Sequence, residues 1–415
     1  MPLFTIEKIA EAANTTVKRV RRDVASGALP SVRRNNRYFI SEDDLAKWTP
    51  AVSENAAPSA QRAKDAVNWV DVSAEMESTD ARRDPGLRAD VNFIDLFSGA
   101  GGLSCGLVMA GLNPVAAVEN MEQAVLTYNR NFGGNIKPCD IRDERVRAEL
   151  AESVRGKHIH LIAGGFPCQG FSIAGHRIAG DERNSLYLEM LKIVTEIKPD
   201  FVLMENVEGL RSMLGGAVER RIIGDYKKIG YEINVTLLNS ADYGVPQIRK
   251  RVIFIGNRLG LDNLHPMPVL PPDKYKTVED GIARFAGIPE NKAINHIFSK
   301  HNAEMTKRLA ELPEGQSLYG NYSDAWKKVY WDQPSVTVKE NHGGVNVHPK
   351  FPRVMTPREL AALQSFPDDF IFEGSKKWQL VQIGNAVPPL LGKAVGLAVI
   401  KAVNGVRESE IIRRH

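Results

Sequence analysis

Between Val91 and Asn257 the chain is punctuated by short apolar runs. VNFIDLF (91–97), PVAAVE (114–119), HIHLIAGG (158–165), FVLMENV (201–207), YEINVTLLNS (231–240) and KRVIFIGN (250–257) each have the length and composition of a buried strand. Helical spacing appears between and after the first of them, in LSCGLVMAG (103–111) and MEQAVLTYNRNF (121–132). Apolar strands alternating with helices predict an α/β fold, a mostly parallel sheet with helices on both faces. Ligands of such sheets collect at the C-terminal ends of the strands. The rhythm stops over 258–350, where Pro, Asn, His and Lys crowd without a period. It returns as helices at TPRELAALQ (356–364) and PPLLGKAVGLAVIKAV (388–403).

The first 48 residues follow another pattern. FTIEKIAEAAN places Ile6, Ile9, Ala10 and Ala13 on one helical face, and TTVKRVRRDVASG predicts a second helix, with Thr15 or Thr16 as its N-cap and Gly27 as its stop. A turn at Ala28-Leu29-Pro30 leads to a hairpin arm, NNRYFI. Ser41 then caps a third helix, SEDDLAKW, with Asp43 and Asp44 in its first turn. This order resembles the winged helix-turn-helix head of the MerR and excisionase-like regulators. Lys18, Arg19, Arg21 and Arg22 on the second helix, with Arg33, Arg34 and Arg37 on the wing, suit phosphate contacts beside a DNA groove. A solvated basic helix in an accessory domain is the plainer alternative. Residues 49–90, rich in Ala, Ser, Asp and Arg, read as a linker, partly helical around Val67–Val72.

The chain has 415 residues, 43% hydrophobic and 25% charged, which excludes wholesale disorder and allows two or three domains. No uninterrupted apolar run is long enough to span a membrane, and the N-terminus lacks the apolar core of a secretory signal. The three cysteines, Cys105, Cys139 and Cys168, fit a reduced, cytoplasmic protein, and their spacing matches no zinc site, so no metal is expected. A net charge of +4 is compatible with nucleic acid without indicating it.

Two strand ends carry candidate chemistry. The first runs into Ser98-Gly99-Ala100-Gly101-Gly102, and the second ends at Glu119, about twenty positions on, where an acidic residue commonly grips ribose hydroxyls. The turn lacks the G-x-G-x-x-G spacing of dinucleotide sites, so a nucleoside without phosphates, such as S-adenosylmethionine, fits better; a tight structural turn remains the bland reading. The third strand runs into Gly164-Gly165-Phe166-Pro167-Cys168, which puts a lone cysteine in a Gly/Pro loop at the same edge. The fourth delivers Glu205, a carboxyl ending an apolar strand, which is costly without a partner or a task. Arg249 and Arg251 alternate to one side as the sixth strand begins.

DLFSGAGG (95–102), GGFPCQGFS (164–172), ENV (205–207), QIRKRV (247–252) and QIGNAVP (382–388), in this order, resemble the ordered motifs of the DNA (cytosine-5) methyltransferases. The resemblance implies a Rossmann-like S-adenosylmethionine-dependent methyltransferase sheet in a catalytic domain, 91–257. It is completed by 353–415, with a smaller target-recognition region, 258–352, between the two. It further implies Cys168 as the nucleophile, Glu205 as the group facing cytosine nitrogen 3, Arg251 as the partner of the ring oxygen and Arg249 as an aid to the catalytic loop. Phe97, Glu119, Asp140, Ile141, Pro167, Leu186 and Asn385 fall at methyl-donor positions, and Gln169 and Ser172 at contacts to the flipped nucleotide. Cys139 stands before Asp140 where glycine is frequent. S-adenosylhomocysteine is the implied product. The implied partners are double-stranded DNA and a cognate restriction endonuclease encoded nearby. A monomer would act on the target in the bacterial cytoplasm and nucleoid, with no membrane contact, and the N-terminal module is a candidate for dimerisation. Two other readings stay open. A related branch methylates transfer RNA, although A-form RNA offers no readable major groove to a helix-turn-helix. The chain as a DNA-binding regulator is the other.

Overall fold

The computed structural model describes residues 3–5, 32–34, 37–41, 67–78, 80–82, 89–167, 186–320, 326–339 and 346–413. The chain separates into two units, Met1–Ala66 and Val67–His415. In the first, β1 (Leu3–Thr5), β2 (Val32–Arg34) and β3 (Arg37–Ser41) form an antiparallel sheet of order β1–β3–β2. Phe4 and Thr5, expected to open the first helix, pair instead with Ile40 and Phe39. The remainder of the three expected helices lies outside the described residues, and so do Lys18, Arg19, Arg21 and Arg22.

The strands of the second unit are β4 (Asn68–Val70), β5 (Asn92–Leu96), β6 (Asn113–Val118), β7 (Leu161–Gly164), β8 (Phe201–Val207), β9 (Glu232–Asn239), β10 (Lys250–Asn257) and β11 (Leu264–Pro266). Its α-helices are α1 (Ser73–Ser78), α2 (Gly102–Ala110), α3 (Glu122–Phe132), α4 (Glu144–Ser153), α5 (Leu186–Ile197), α6 (Ala217–Lys228), α7 (Val278–Ile282), α8 (Ala303–Glu311), α9 (Pro357–Leu363), α10 (Lys376–Asn385) and α11 (Pro389–Arg413). The central sheet has the order β6–β5–β7–β8–β10–β9, and each strand falls on one of the apolar runs. β6, β5, β7 and β8 are parallel, and β10 is antiparallel to both β8 and β9. Because β10 runs backwards, it begins at the edge where β5–β8 end. Arg251 therefore pairs with Val207, and Ile253 with Glu205. From β5 the chain moves to β6 on one side and returns to β7 on the other, which opens a crevice at the strand ends.

Alternation along β5 sends Phe93 to one face and Ile94 and Leu96 to the other. Phe93 packs with Leu103 and Leu107 of α2 and with Leu391 and Val395 of α11. Ile94 and Leu96 join Met190 and Ile193 of α5 and Ile222 and Tyr226 of α6. A Cβ on Gly106 would overlap the Pro389 carbonyl, so glycine there sets the close approach of α2 to α11. The stretch Lys376–Gly405 is long and apolar enough to cross a membrane by length and composition. However, 83% of its apolar window is buried inside the protein, so it is a core element.

Among the described residues of 258–352, the segment expected from sequence to recognise the target, regular elements are few, as its composition predicts. Val278, Ile282, Phe285, Val329 and Val338 share a core with Leu360, Phe366, Phe370 and Phe372, so this region and the C-terminal part pack as one body. Thr356 caps α9 through a reciprocal bond with Glu359, and Pro357 occupies its first turn.

The linker expected over 49–90 does not extend to 90. β4 pairs in parallel with β11, Val72 and Ala81 are fully buried, and Lys393 of α11, 3% exposed, donates to the Met76 carbonyl at 2.9 Å. Around Val67–Val72, where partial helix was expected, the chain is β4, and the helix follows as α1. Removing residues 1–66 is therefore expected to leave the melting temperature of the second unit unchanged. Removing residues 1–85 would strand the Lys393 ammonium and expose the Val72 pocket, a loss of about 3–5 kcal/mol. Thermal denaturation of the two truncations checks this.

Candidate active site

A cavity of about 660 Å³ opens at the strand-end crevice. Its lining brings together Phe97, Glu119, Asp140, Ile141, Pro167, Leu186 and Asn385 with Glu205, Arg249 and Arg251. These residues come from the C-terminal ends of β5, β6 and β8, the start of β10, the segment between α3 and α4, the loop after β7 and the ends of α5 and α10. Cys168, Gln169 and Ser172 lie outside the described residues.

On one side of the cavity Glu119 is fixed by backbone. One carboxylate oxygen accepts the Gly99 amide at 2.8 Å, and the other accepts Asn120 and Met121 at 2.9 and 2.8 Å. Phe97 holds a left-handed φ of 59°, strain that persists where surrounding structure over-determines it. Asp140 is gripped by Arg142, whose Nη2 donates at 2.6 Å and whose Nε donates to both oxygens at 3.0 Å. Those bonds hold the Asp140 carboxyl below its ordinary range. Arg142 was not legible in advance, because a pair two residues apart in a turn has no periodic signature.

Two more residues of the lining had no role assigned from sequence. Ser98 is 7% exposed, and among the described residues its hydroxyl is buried with no hydrogen-bond partner. It is a polar group left ready for a ligand. Asp95, 1% exposed, accepts from the Ser104 hydroxyl at 2.6 Å, and Ser104 in turn lies 3.2 Å from the Tyr128 hydroxyl. Burial, reinforced by Glu119, pushes the Asp95 carboxyl up to about 7. The unfolded carboxyl titrates near 3.8, so the native state keeps a proton that the unfolded chain has lost across this window. Stability then falls as pH rises from about 4 to about 7 and levels off above. Asp95→Asn keeps an acceptor for Ser104 without the charge. It is expected to raise the melting temperature at pH 8 and to leave it unchanged near pH 4, as read by thermal denaturation.

On the other side Glu205 and Arg251 form an ion pair, Nε to Oε1 at 2.7 Å, with side chains 13% and 11% exposed. A Cβ on Gly165 would stand 3.1 Å from the second Glu205 oxygen, so glycine keeps the space beside that carboxylate open. Asn206 donates to the Phe166 carbonyl at 2.9 Å and ties the end of β8 to the chain just ahead of Cys168. Arg249 is 2% exposed and turned elsewhere. Its guanidinium donates to the carbonyls of Val338 at 2.8 Å and of Gly384 and Ala386 at 3.0 Å. Burial, then Arg251, holds its pKa well below the usual guanidinium value. Both terminal nitrogens are thus engaged with backbone while Arg249 also contributes to the cavity lining.

A histidine pair sits at the opposite, N-terminal edge of the sheet, where His158 lies 2.6 Å from Asp200. His160 accepts the Asn92 amide on Nδ1 at 3.1 Å, so its neutral ring carries the proton on Nε2 and does not offer that nitrogen to a metal.

A parallel sheet with a switch-point cavity, an acidic residue after the second strand and a Glu–Arg pair joining the end of the fourth strand to the start of the sixth is the architecture of a nucleoside-dependent group-transfer enzyme. Residues 91–401 match the C-5 cytosine-specific DNA methylase family, and the chain belongs to it: it is a DNA (cytosine-5) methyltransferase. The Type II methyltransferase M1.HphI of Haemophilus parahaemolyticus is 37% identical over 75% of this chain and 87% of its own length. M.DdeI of Desulfomicrobium norvegicum is 32% identical over 77% and 92%. Among solved structures, a DNA modification methyltransferase encoded within an E. coli prophage superposes with a TM-score of 0.61 at 27% identity, over 76% of this chain and 99% of that one.

Proposed function

We propose that this chain is the modification enzyme of a restriction–modification system. In this reading it methylates carbon 5 of a flipped-out cytosine within a specific duplex sequence. The observation that carries the reading is the shared cavity, in which Glu119 and the Glu205–Arg251 pair face one space. S-adenosylmethionine, bound there, supplies an electrophilic methyl group. Glu119 would accept from its ribose hydroxyls and Asp140 from its adenine amino group, with Phe97, Ile141, Pro167, Leu186 and Asn385 closing around the nucleoside. Ser98 and the amides that open α2 suit its carboxylate. The product is S-adenosylhomocysteine, and no step requires a metal.

Carbon 5 of cytosine is a poor nucleophile. Addition of the Cys168 thiolate to carbon 6 makes the ring an enamine and carbon 5 nucleophilic. Glu205, protonated for that step, donates to nitrogen 3, and Arg251 holds the ring oxygen. After the methyl group arrives, a solvent water takes the carbon 5 proton, the electrons of that bond restore the ring as the thiolate leaves carbon 6, and nitrogen 3 returns its proton to Glu205. A stacked base cannot enter the cavity, so the target must leave the helix, with Gln169 and Ser172 against the vacated place or the backbone. The partners on this reading are duplex DNA and a cognate endonuclease encoded nearby, met by a monomer in the bacterial cytoplasm. Methyl incorporation into unmethylated duplex DNA, set against transfer RNA, tests the reading. Labelled transfer RNA with unlabelled DNA would overturn it.

The first unit is proposed as an independent winged helix-turn-helix reader, with Lys18, Arg19, Arg21 and Arg22 on its phosphate-contacting helix. Charge reversal at Arg21 and Arg22 is expected to erase any footprint at sites lacking the methylated sequence and to flatten its salt dependence, with the methylation pattern intact.

A further inference from the structure

Just ahead of β10, the recognition region runs beside the catalytic strand. Ser335 donates to the Pro246 carbonyl at 3.0 Å and accepts from Ile248 at 2.9 Å, and the Thr337 hydroxyl donates to the Ile248 carbonyl at 2.8 Å. One side chain sits at the centre of this seam. Gln247, fully buried, accepts the Val338 amide at 2.8 Å on its oxygen. Its nitrogen donates to the Gln364 side chain at 2.9 Å and to the Leu363 carbonyl at 3.2 Å. Gln364, also fully buried, passes the contact on by donating to the Ile383 carbonyl at 2.8 Å. Arg249 completes the seam from the next inward position, joining Val338 to Gly384 and Ala386. Two residues on along the strand is Arg251, the partner of Glu205.

We propose that Gln247 is a positioning residue that sets the register of the recognition region against the catalytic strand, so that DNA contacts made by 258–352 place Arg251 and Glu205 on the flipped base. The proposal rests on the reading of Glu205 and Arg251 given above. A buried amide with each polar atom matched fixes one geometry, because any slip leaves a donor or acceptor unpaired. The seam joins α9 and the end of α10 to the strand that bears Arg251. A shift of about 1 Å there is enough to cost on the order of 10²-fold in rate.

Three variants separate positioning from plain stability. Gln247→Leu leaves the Val338 amide and the Gln364 oxygen unpaired, and Gln364→Leu leaves the Gln247 nitrogen with the Leu363 carbonyl alone. The double variant no longer strands the Gln364 oxygen, so it regains part of the lost melting temperature, yet it still lacks the acceptor that held Val338. Single-turnover methyl transfer to duplex DNA is expected to fall about 10–100-fold in Gln247→Leu and to stay low in the double variant, with S-adenosylmethionine affinity unchanged by calorimetry. Rates that recover with the melting temperature, or a Gln247→Leu enzyme as fast as wild type, would overturn the proposal while the catalytic reading stands. A wild-type enzyme that fails to methylate duplex DNA would instead overturn that catalytic reading.

Discussion

Cys168→Ser is expected to lose methyl transfer by about 10⁴-fold or more, the scale on which enzymes lose a nucleophile. The substitution is nearly isosteric, so folding and S-adenosylmethionine binding should persist. What changes is ionisation. A thiol near its ordinary pKa supplies a few per cent thiolate at neutral pH, whereas a serine hydroxyl supplies essentially none. The loop position also matters: Cys168 follows Pro167, which lines the cavity, and Phe166 is tied to the end of β8 through Asn206. DNA carrying 5-fluorocytosine provides a second readout. Fluorine stands where carbon 5 must lose a proton, so elimination stops and the wild-type enzyme should remain attached to the DNA on a denaturing gel. Cys168→Ser should leave no such band. Methylation at a comparable rate by the serine variant would remove Cys168 from the chemistry.

Glu205→Gln is expected to slow the single-turnover step by about 10²–10⁴-fold, the range of a lost general acid–base group. In the ligand-free protein Arg251 holds this carboxylate at 2.7 Å, so the entering base must exchange that contact for its own nitrogen 3. An amide fills the same volume and still donates a hydrogen bond, but it cannot give up a proton as negative charge develops on the ring. In the proposed reading the ribose contacts fall to Glu119, away from Glu205, so S-adenosylmethionine affinity should barely move. A variant with weakened donor binding and a normal single-turnover rate would contradict the assignment.

How much could be read in advance differs between elements, for physical reasons. The central strands were legible because β5, β7, β8 and β10 are largely buried and leave apolar runs, and the half-buried edge strands β6 and β9 still carry Val, Ile and Leu. The reversal of β10 was not, since strand direction is decided by pairing partners far away in sequence. α4 is amphipathic but mostly polar, and α10 buries glutamines, so neither announced itself. β4 is only three residues long and sits in an Ala- and Asp-rich stretch, which is why the segment from Val67 read as a linker. Of the cavity-lining residues, Phe97, Pro167, Glu205, Arg251 and Asn385 stand within the ordered motifs, which is why the sequence could single them out. Arg249 was legible as an inward arginine, but its three carbonyl partners lie in the recognition region and the C-terminal part. Gln247 stood at the head of the QIRKRV motif without a role, and Gln364 gave no signal, because a buried amide pair separated by more than a hundred residues has no local pattern.

Bisulfite sequencing of DNA from a host that expresses this chain reads the modified carbon itself. Protected cytosines are expected at one short recurring sequence with the wild-type protein and none with Cys168→Ser. DNA that converts fully in both hosts would contradict methylation at carbon 5.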